Sequence, residues 1–403
     1  MTHTPVDRLC RFLGTRPRFL ALAAFLFAGD LKADPRLAWL PVDQTLLTGG
    51  LLALALGFRL LRGARLACVS GPALVCAWYA TFLPGLVQAA DSPYAVQKVA
   101  TIFTFSLLAS SAPFLLVEGE RDLPLLVNAV AWFCLAIALG GLLGRAGAAE
   151  PVQRLQAFGA GTIALGRAAG QLFTVAALAL VYGGHRQDGP GRFLARLLTF
   201  AVLALAGITA LFSGARGPIV GALAALAAQL ALGRTPLGRR LVRAGLAAGL
   251  FLAVLSSFLP FAPAGSLQRV TSFFRGRVGA SETYRVNAVR AAWDLVPDAP
   301  WGIGWGRFAT HVDPERGLPR QYPHNLLAEV TLESGWICGA VTVLVLAAAL
   351  AAAWAGSDRP AGRLVFALLV FHVCNAMVSG DLNDNRQLFV FISSALLPRG
   401  VAS

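Results

Sequence analysis

Charge is what this sequence has least of. Only 13% of its 403 residues are charged, against 57% hydrophobic, and the mean hydropathy is +0.66. So few charges cannot dress the surface of an ordinary soluble protein of this length, and that class is excluded. Cysteine offers no framework. Cys10, Cys68, Cys76, Cys134, Cys338 and Cys374 stand singly, almost all in apolar runs, and read as small buried hydrophobes rather than disulfide or zinc partners. No low-complexity tract or internal repeat is visible, which argues against transporters built from repeated halves. The first 30 residues place arginines before FLALAAFLFAG, but LKADPR lacks a small-residue cleavage site, so a first span is expected there rather than a leader.

What fills the chain instead is a series of apolar runs long enough for lipid, where a helix needs roughly 20 residues to cross. About twelve spans are expected, near 17–31, 43–58, 66–88, 98–117, 123–143, 158–182, 194–212, 217–232, 243–259, 325–353, 364–379 and 386–398. Gly-rich interiors such as LTGGLLALALG do not alternate as barrel strands do, so the expected class is an all-α integral membrane protein.

Basic residues orient the bundle. With the N-terminus cytoplasmic, the inner segments hold 18 of the 34 Lys and Arg; the outer face holds 16, of which eight sit in one long loop that weighs little in the positive-inside bias. Both termini are therefore expected inside. The chain divides into a bundle of about nine spans (1–259), an outward loop (260–323) and about three closing spans (324–403). A net charge of +14 does not imply nucleic acid here, because short cytoplasmic clamps face anionic lipid headgroups and the remainder lies on the outer face.

A loop of that length inside a compact protein is usually functional. Within it, SETYRVNAVRAAWDLV has helical spacing, with Val286, Val289, Ala292, Trp293 and Val296 along one side and Ser281 as a plausible N-cap. The following PWGIGWGRF reads as a turn at the membrane interface, where Trp is favoured. The loop also carries Arg269, Arg275, Arg277, Arg285, Arg290, Arg307, Arg316 and Arg320. At least half should be plain solvated charge, with Arg285 and Arg290, on the helix, the better candidates for an anion.

Four further features fall on the same face. In SGARGPIVG, Gly214, Gly217 and Pro218 make a tight turn that opens a helix, and Arg216 there either snorkels to headgroups or completes a phosphate site. Arg154 and Arg167 lie in RLQAFGAGTIALGRAAG; Arg167 should face a polar cavity if its helix starts near 158, and the interface if it starts later. His324 and Asn325 stand where the loop meets the tenth span, in PHNLLAEVTLESGWICG. A lone histidine is more often structural, but an ordinary pKa of about 6.5 also lets one accept a proton at neutral pH. The last outward turn, SGDLNDNR, adds Asp381, Asp384 and Arg386, for which pairing with arginine is a safer reading than a metal.

Taken in order, the Arg-Gly turn, YRVNAVRAAWDLVPDAPWGIGWGRF, HNLLAEVTLESGWICG and SGD followed by NR resemble the O-antigen ligase and Wzy-type polymerase superfamily over roughly 154–386. The chain departs from many members at TIALGR, where an Asn-Pro or Pro-Asn is common. The resemblance implies a GT-C-type glycosyltransferase of the bacterial inner membrane, independent of metal and cofactor, with its site facing the periplasm. The donor would be undecaprenyl diphosphate-linked O-antigen and the acceptor the lipid A core oligosaccharide. Arg216 would steady the diphosphate, supported by Arg285, Arg290 and Arg386, with Arg154, Arg167 and Asp381 as further substrate contacts. His324 would take the acceptor proton, oriented by Asn325 or Glu333. A Wzy-type polymerase, a protein O-oligosaccharyltransferase and, from another class, a lipid or anion transporter are the competing readings.

Overall fold

The computed structural model describes residues 13–32, 34–63, 69–146, 154–183, 190–232, 237–263, 265–266, 268, 271–272, 275, 279–312 and 321–398. Cys10, Cys68, Arg269, Arg277, Arg316 and Arg320 lie outside them. The described residues form helices and no strand; the one β-type pairing is an isolated bridge between Ala157 and Ala160. This is the form that apolar sequence must take in lipid, because a helix satisfies its own backbone.

In chain order the helices are α1 Pro17–Leu31, α2 Gln44–Leu61, α3 Ser70–Ala80, α4 Leu83–Val87, α5 Pro93–Thr101, α6 Leu107–Leu116, α7 Asp122–Ala146, α8 Thr162–Tyr182 and α9 Pro190–Ser213. They continue as α10 Arg216–Leu232, α11 Leu237–Phe258, α12 Ala280–Leu295, α13 Phe308–Val312, α14 Leu326–Ser334, α15 Trp336–Ala355, α16 Pro360–Ala376 and α17 Arg386–Ala395. A π-helical stretch, Ile102–Ser106, joins α5 to α6.

Each expected span coincides with helix. Eight helical segments among the described residues are long and apolar enough to cross a membrane, and α10 and α16, at 17 residues each, are shorter apolar helices. The last expected span is the shortest: the ten residues of α17 rise about 15 Å, half a hydrocarbon core. The expected span at 325–353 is corrected. It is two helices, α14 and α15, broken at Gly335, whose φ of +92° suits glycine alone and where a Cβ would stand 2.7 Å from the Pro300 carbonyl.

The chain separates into two compact units, each discontinuous in sequence: Met1–Ala55 with Gly119–Arg277 and Trp354–Phe371, and Leu56–Glu118 with Val278–Ala353 and His372–Ser403. The first unit is organised around α8, which packs on α7, α9 and α10. Small residues let these helices approach closely: a Cβ on Gly170 would lie 3.0 Å from the Pro218 carbonyl. Leu178, Ala222, Ala225, Ala367 and Phe371 fill one core there.

The second unit is centred on Trp78. Its ring meets Phe82 and Phe389 edge-on at 5.5 and 5.4 Å, and its Nε1 donates to Thr342 Oγ1 at 2.8 Å. The PWGIGWGRF stretch is a turn as expected, and its two tryptophans have different surroundings. Trp301 is exposed, whereas Trp305 is fully buried in the protein, edge-on to Phe82 and donating through Nε1 to the Phe82 carbonyl at 3.0 Å. The turn caps a helix: Ile303 and Gly304 N–H donate to Leu332 and Glu333 carbonyls at 2.8 and 3.1 Å, two of the orphan acceptors at the end of α14.

Gly304, at φ +95°, lies so close to the Gln88 carbonyl that no Cβ fits. Gly304→Ala is expected to lower stability by more than about 1 kcal/mol. Gly50→Ala, on α2 with open space around it, should raise it by about 0.5–1 kcal/mol. Thermal melting of both variants in detergent checks this, and equal melting temperatures would contradict it.

Candidate functional site

In the second unit the loop helix is α12, but its details differ from expectation. Its N-cap is Gly279, without a side-chain cap, and Ser281 lies inside the first turn. The buried stripe is Ala288, Ala292 and Val296, packed with Phe308, Ala328 and Leu332. Val286 and Trp293 are exposed at 56% and 44%. Ala292 and Val296 are on the expected side; Ala288 is not, and these small residues at 288 and 292 let α12 lie close against α14.

That packing places Tyr284 and Arg285 beside the start of α14. His324 precedes α14 with φ +60°, a left-handed conformation costing a non-glycine residue roughly 1–3 kcal/mol. Its ring sits 4.3 Å from Tyr322 and 6.0 Å, edge-on, from Tyr284. Asn325 is the N-cap of α14: its side-chain oxygen accepts from Ala328 N–H at 3.0 Å, while its Nδ2 donates to the Met377 carbonyl at 3.0 Å. Arg285 donates to the next carbonyl, Val378, at 3.4 Å. The structure thus brings His324, Asn325 and Arg285 to the turn beginning at Met377.

That turn continues into Asp381, which is buried and forms a reciprocal capping box with Asp384 over the short 3-10 helix Leu382–Asn385. Arg386, half-buried, begins α17 immediately after. Arg290 lies on the same helix as Arg285 but is exposed. Five residues apart, the two point about 140° from each other around the helix, so they are not one anion clamp.

Glu333 is not beside His324. It lies more than two turns further along α14, fully buried, with its Oε2 taking the Lys98 ammonium at 2.5 Å and Gly306 N–H at 3.1 Å. Glu329, one turn earlier and also fully buried, pairs with the same ammonium at 2.6 Å and accepts from Leu382 N–H at 3.2 Å. Sequence reasoning passed over Lys98 and Glu329. The signals were there: Lys98 is one of two lysines in the chain and sits in an apolar span, where an unpaired charge costs about 3 kcal/mol. Two glutamates at i and i+4 on one helix also repel unless a cation lies between them.

In the first unit, Arg216 is the first residue of α10, just past Gly214 at φ +68°. Its guanidinium donates to Ser272 Oγ at 2.8 Å. Ser213 Oγ accepts from Ala215 N–H at 3.2 Å, tightening the turn. Arg154 belongs to the same neighbourhood: its Cδ lies 3.4 Å from where a Gly214 Cβ would be, and Leu155 N–H donates to the Phe212 carbonyl at 3.1 Å. α8 starts at Thr162, later than expected, so Arg167 falls in its second turn, half-buried, and the preceding Gly166 packs on Ala215 and Ser213. Arg154, the Arg167 turn and the Arg216 turn are therefore brought together in this unit.

Arg154 also lines a cleft of about 1070 Å³ whose wall includes Arg36, Phe158, Gly140, Gly141 and Gly144. The Arg36 guanidinium forks onto Asp34 at 2.7–3.1 Å, and this hydrogen bonding holds the Asp34 carboxyl below its usual pKa. Asp34 thus stays ionised at neutral pH and takes up the Arg36 charge.

Residues 200–343 match the family model described as O-antigen ligase. This match supports the resemblance to the O-antigen ligase and Wzy-type superfamily over that segment. The O-antigen ligase segment contains Arg216, Arg285, Arg290, His324, Asn325, Glu329 and Glu333, while Lys98, Arg154, Arg167, Asp381 and Arg386 lie outside its limits. No curated protein matches the chain.

Asn325→Ala removes the cap and is expected to lower stability by about 1 kcal/mol. Asn325→Asp retains an acceptor for Ala328 and loses only the bond to Met377, so it should melt close to wild type. The reverse order of melting temperatures would show that the Met377 contact, not the cap, is the larger contribution.

Proposed function

We propose that the chain is a glycosyltransferase that moves O-antigen polysaccharide from undecaprenyl diphosphate to a sugar hydroxyl of the lipid A core, on the periplasmic face of the bacterial inner membrane. The observation that carries this is the O-antigen ligase segment at 200–343, which ends beyond a strained histidine set among Tyr284, Tyr322, Asn325 and Arg285. Holding a non-glycine residue in a left-handed conformation is a cost that folds tolerate mostly at working sites.

The chemistry follows from the groups. As the acceptor oxygen attacks the anomeric carbon, His324 takes its proton, and the bond to the diphosphate oxygen breaks on the opposite side, inverting the centre. Negative charge develops on the departing diphosphate, and guanidiniums fixed before the reaction stabilise it without reorganising. Arg216 has this role, with Arg285, Arg386, Arg154 and Arg167 as supporting contacts to phosphate or glycan. The cleft beside Arg154, lined by Arg36 and Gln156 as well as by Leu139, Leu143 and Phe158, suits an amphipathic lipid-linked substrate.

His324→Ala should abolish transfer by purified, folded protein while donor binding persists; wild-type turnover in this variant would remove the general-base role. Arg216→Ala should weaken donor binding or turnover by about tenfold or more. Chelation with EDTA should leave turnover unchanged, and its loss with recovery on adding Mg²⁺ would contradict a guanidinium-only mechanism. Gel analysis of lipopolysaccharide from a deletion strain separates ligase from polymerase: a core without any O-antigen, with lipid-linked polymer accumulating, supports the ligase, whereas a core bearing a single repeat unit supports the polymerase.

A further inference from the structure

The Lys98 cluster is the most unusual chemistry in the second unit, and the reaction as written does not use it. All three side chains, Lys98, Glu329 and Glu333, have no exposed surface. Stability alone does not account for them, since an apolar trio of similar volume commonly serves a fold as well or better. What ions offer is direction, and each carboxylate here is aimed at a second element. Glu333 Oε2 also accepts from Gly306 N–H, in the turn that caps α14, and Glu329 Oε1 accepts from Leu382 N–H, at the start of the 3-10 helix before Arg386.

The helix carrying the ammonium is tied to the same place twice more. The Lys98 carbonyl accepts from Asn383 Nδ2 at 3.4 Å, and Tyr94, one turn earlier, donates to Asp381 Oδ2 at 3.3 Å. Directly after α5 the chain widens into the π-helical stretch Ile102–Ser106, a distortion that clusters at functional sites. On the other side, Glu329 N–H donates to the Asn325 carbonyl at 2.9 Å, so the rotation of α14 that satisfies Lys98 also sets the direction of its capped N-terminus and of His324 before it.

We propose that Lys98 is a positioning residue for glycosyl transfer, which through Glu329 and Glu333 locks the His324 turn and the turn leading to Arg386 into one arrangement. The catalytic half of this statement rests on the transferase reading; the mechanical half does not. Lys98 touches no substrate. It acts by denying α14 and the 381–386 turn the freedom to rotate and separate.

The test uses the full chain in lipid nanodiscs, with a polyprenyl diphosphate-linked glycan as donor and lipid A core as acceptor. Glu329→Met is the informative variant, because it removes the acceptor for Leu382 N–H while leaving Lys98 and Glu333 as a one-to-one pair in a similar volume; Lys98→Met removes the cluster's cation and is the more severe companion. For Glu329→Met the melting temperature should hold, KM for the donor should stay within about twofold, and kcat should fall by about tenfold to a hundredfold, the range expected when reacting groups are misplaced by an ångström or less. Hydrogen exchange without substrate should quicken in peptides covering 321–335 and 378–390 and stay unchanged in α8 and α10. Wild-type kcat, unchanged exchange in both segments, or a fall in kcat matched by a lower melting temperature and a higher KM overturns the proposal. A wild-type chain that transfers nothing overturns the transferase reading and the catalytic half with it, and the exchange measurement then decides the mechanical half by itself.

Discussion

Inside hydrocarbon, a peptide N–H or C=O that leaves its helix finds no water, so every departure from helical backbone must be satisfied by protein. The second unit is arranged around that constraint. Where α14 stops at Ser334, its last carbonyls would be orphaned; Ile303 and Gly304 supply the missing donors, and Trp336 N–H turns to the Pro300 carbonyl at 3.0 Å. Trp305 N–H in turn takes the Gly85 carbonyl at 3.0 Å, binding the same turn to α4. Irregular backbone is thus concentrated where it can be paired, and that is where the histidine and the acidic helix lie.

The two units place their polar side chains differently. In the first, arginines stand near helix starts, Arg216 at the head of α10 and Arg167 one turn into α8, where the helix dipole already favours negative charge. In the second, polar groups are spent on backbone carbonyls and on one another: Asn325 on Met377, Arg285 on Val378, Asp381 on Asp384. Such a region holds itself through its own hydrogen bonds, and on the transferase reading that is the preorganisation a transition state requires.

Hydropathy and residue spacing carried the reading of the fold a long way, and its failures have physical causes. The helices were legible because lipid imposes one solution on apolar sequence. Their lengths were not, since a window average does not notice that α17 has only ten residues. The break at Gly335 was invisible because Gly-rich runs are common throughout the chain, and only the approach of Pro300 makes this one a turn. Ser281 looked like a cap because cap propensity is local, whereas α12 begins two residues earlier, after Gly279. The histidine and the arginine turns were noticed for their chemistry. Lys98 escaped because its partners are remote in sequence, and local charge counting assigns it to a water-facing end.

That remoteness has a consequence for how the protein is made. Lys98 and Glu333 are separated by 235 positions, which at a synthesis rate of 5–20 residues per second is roughly 12–47 s of translation. Throughout that interval the α5 segment has left the ribosome carrying an ammonium whose counter-ions do not yet exist. It must wait at the edge of the bilayer, shielded by headgroups or by the insertion machinery, and settle only after the acidic helix has emerged. The last third of the chain is therefore a requirement for seating an early span, and a nascent protein truncated before Glu329 would leave that span without its anchor.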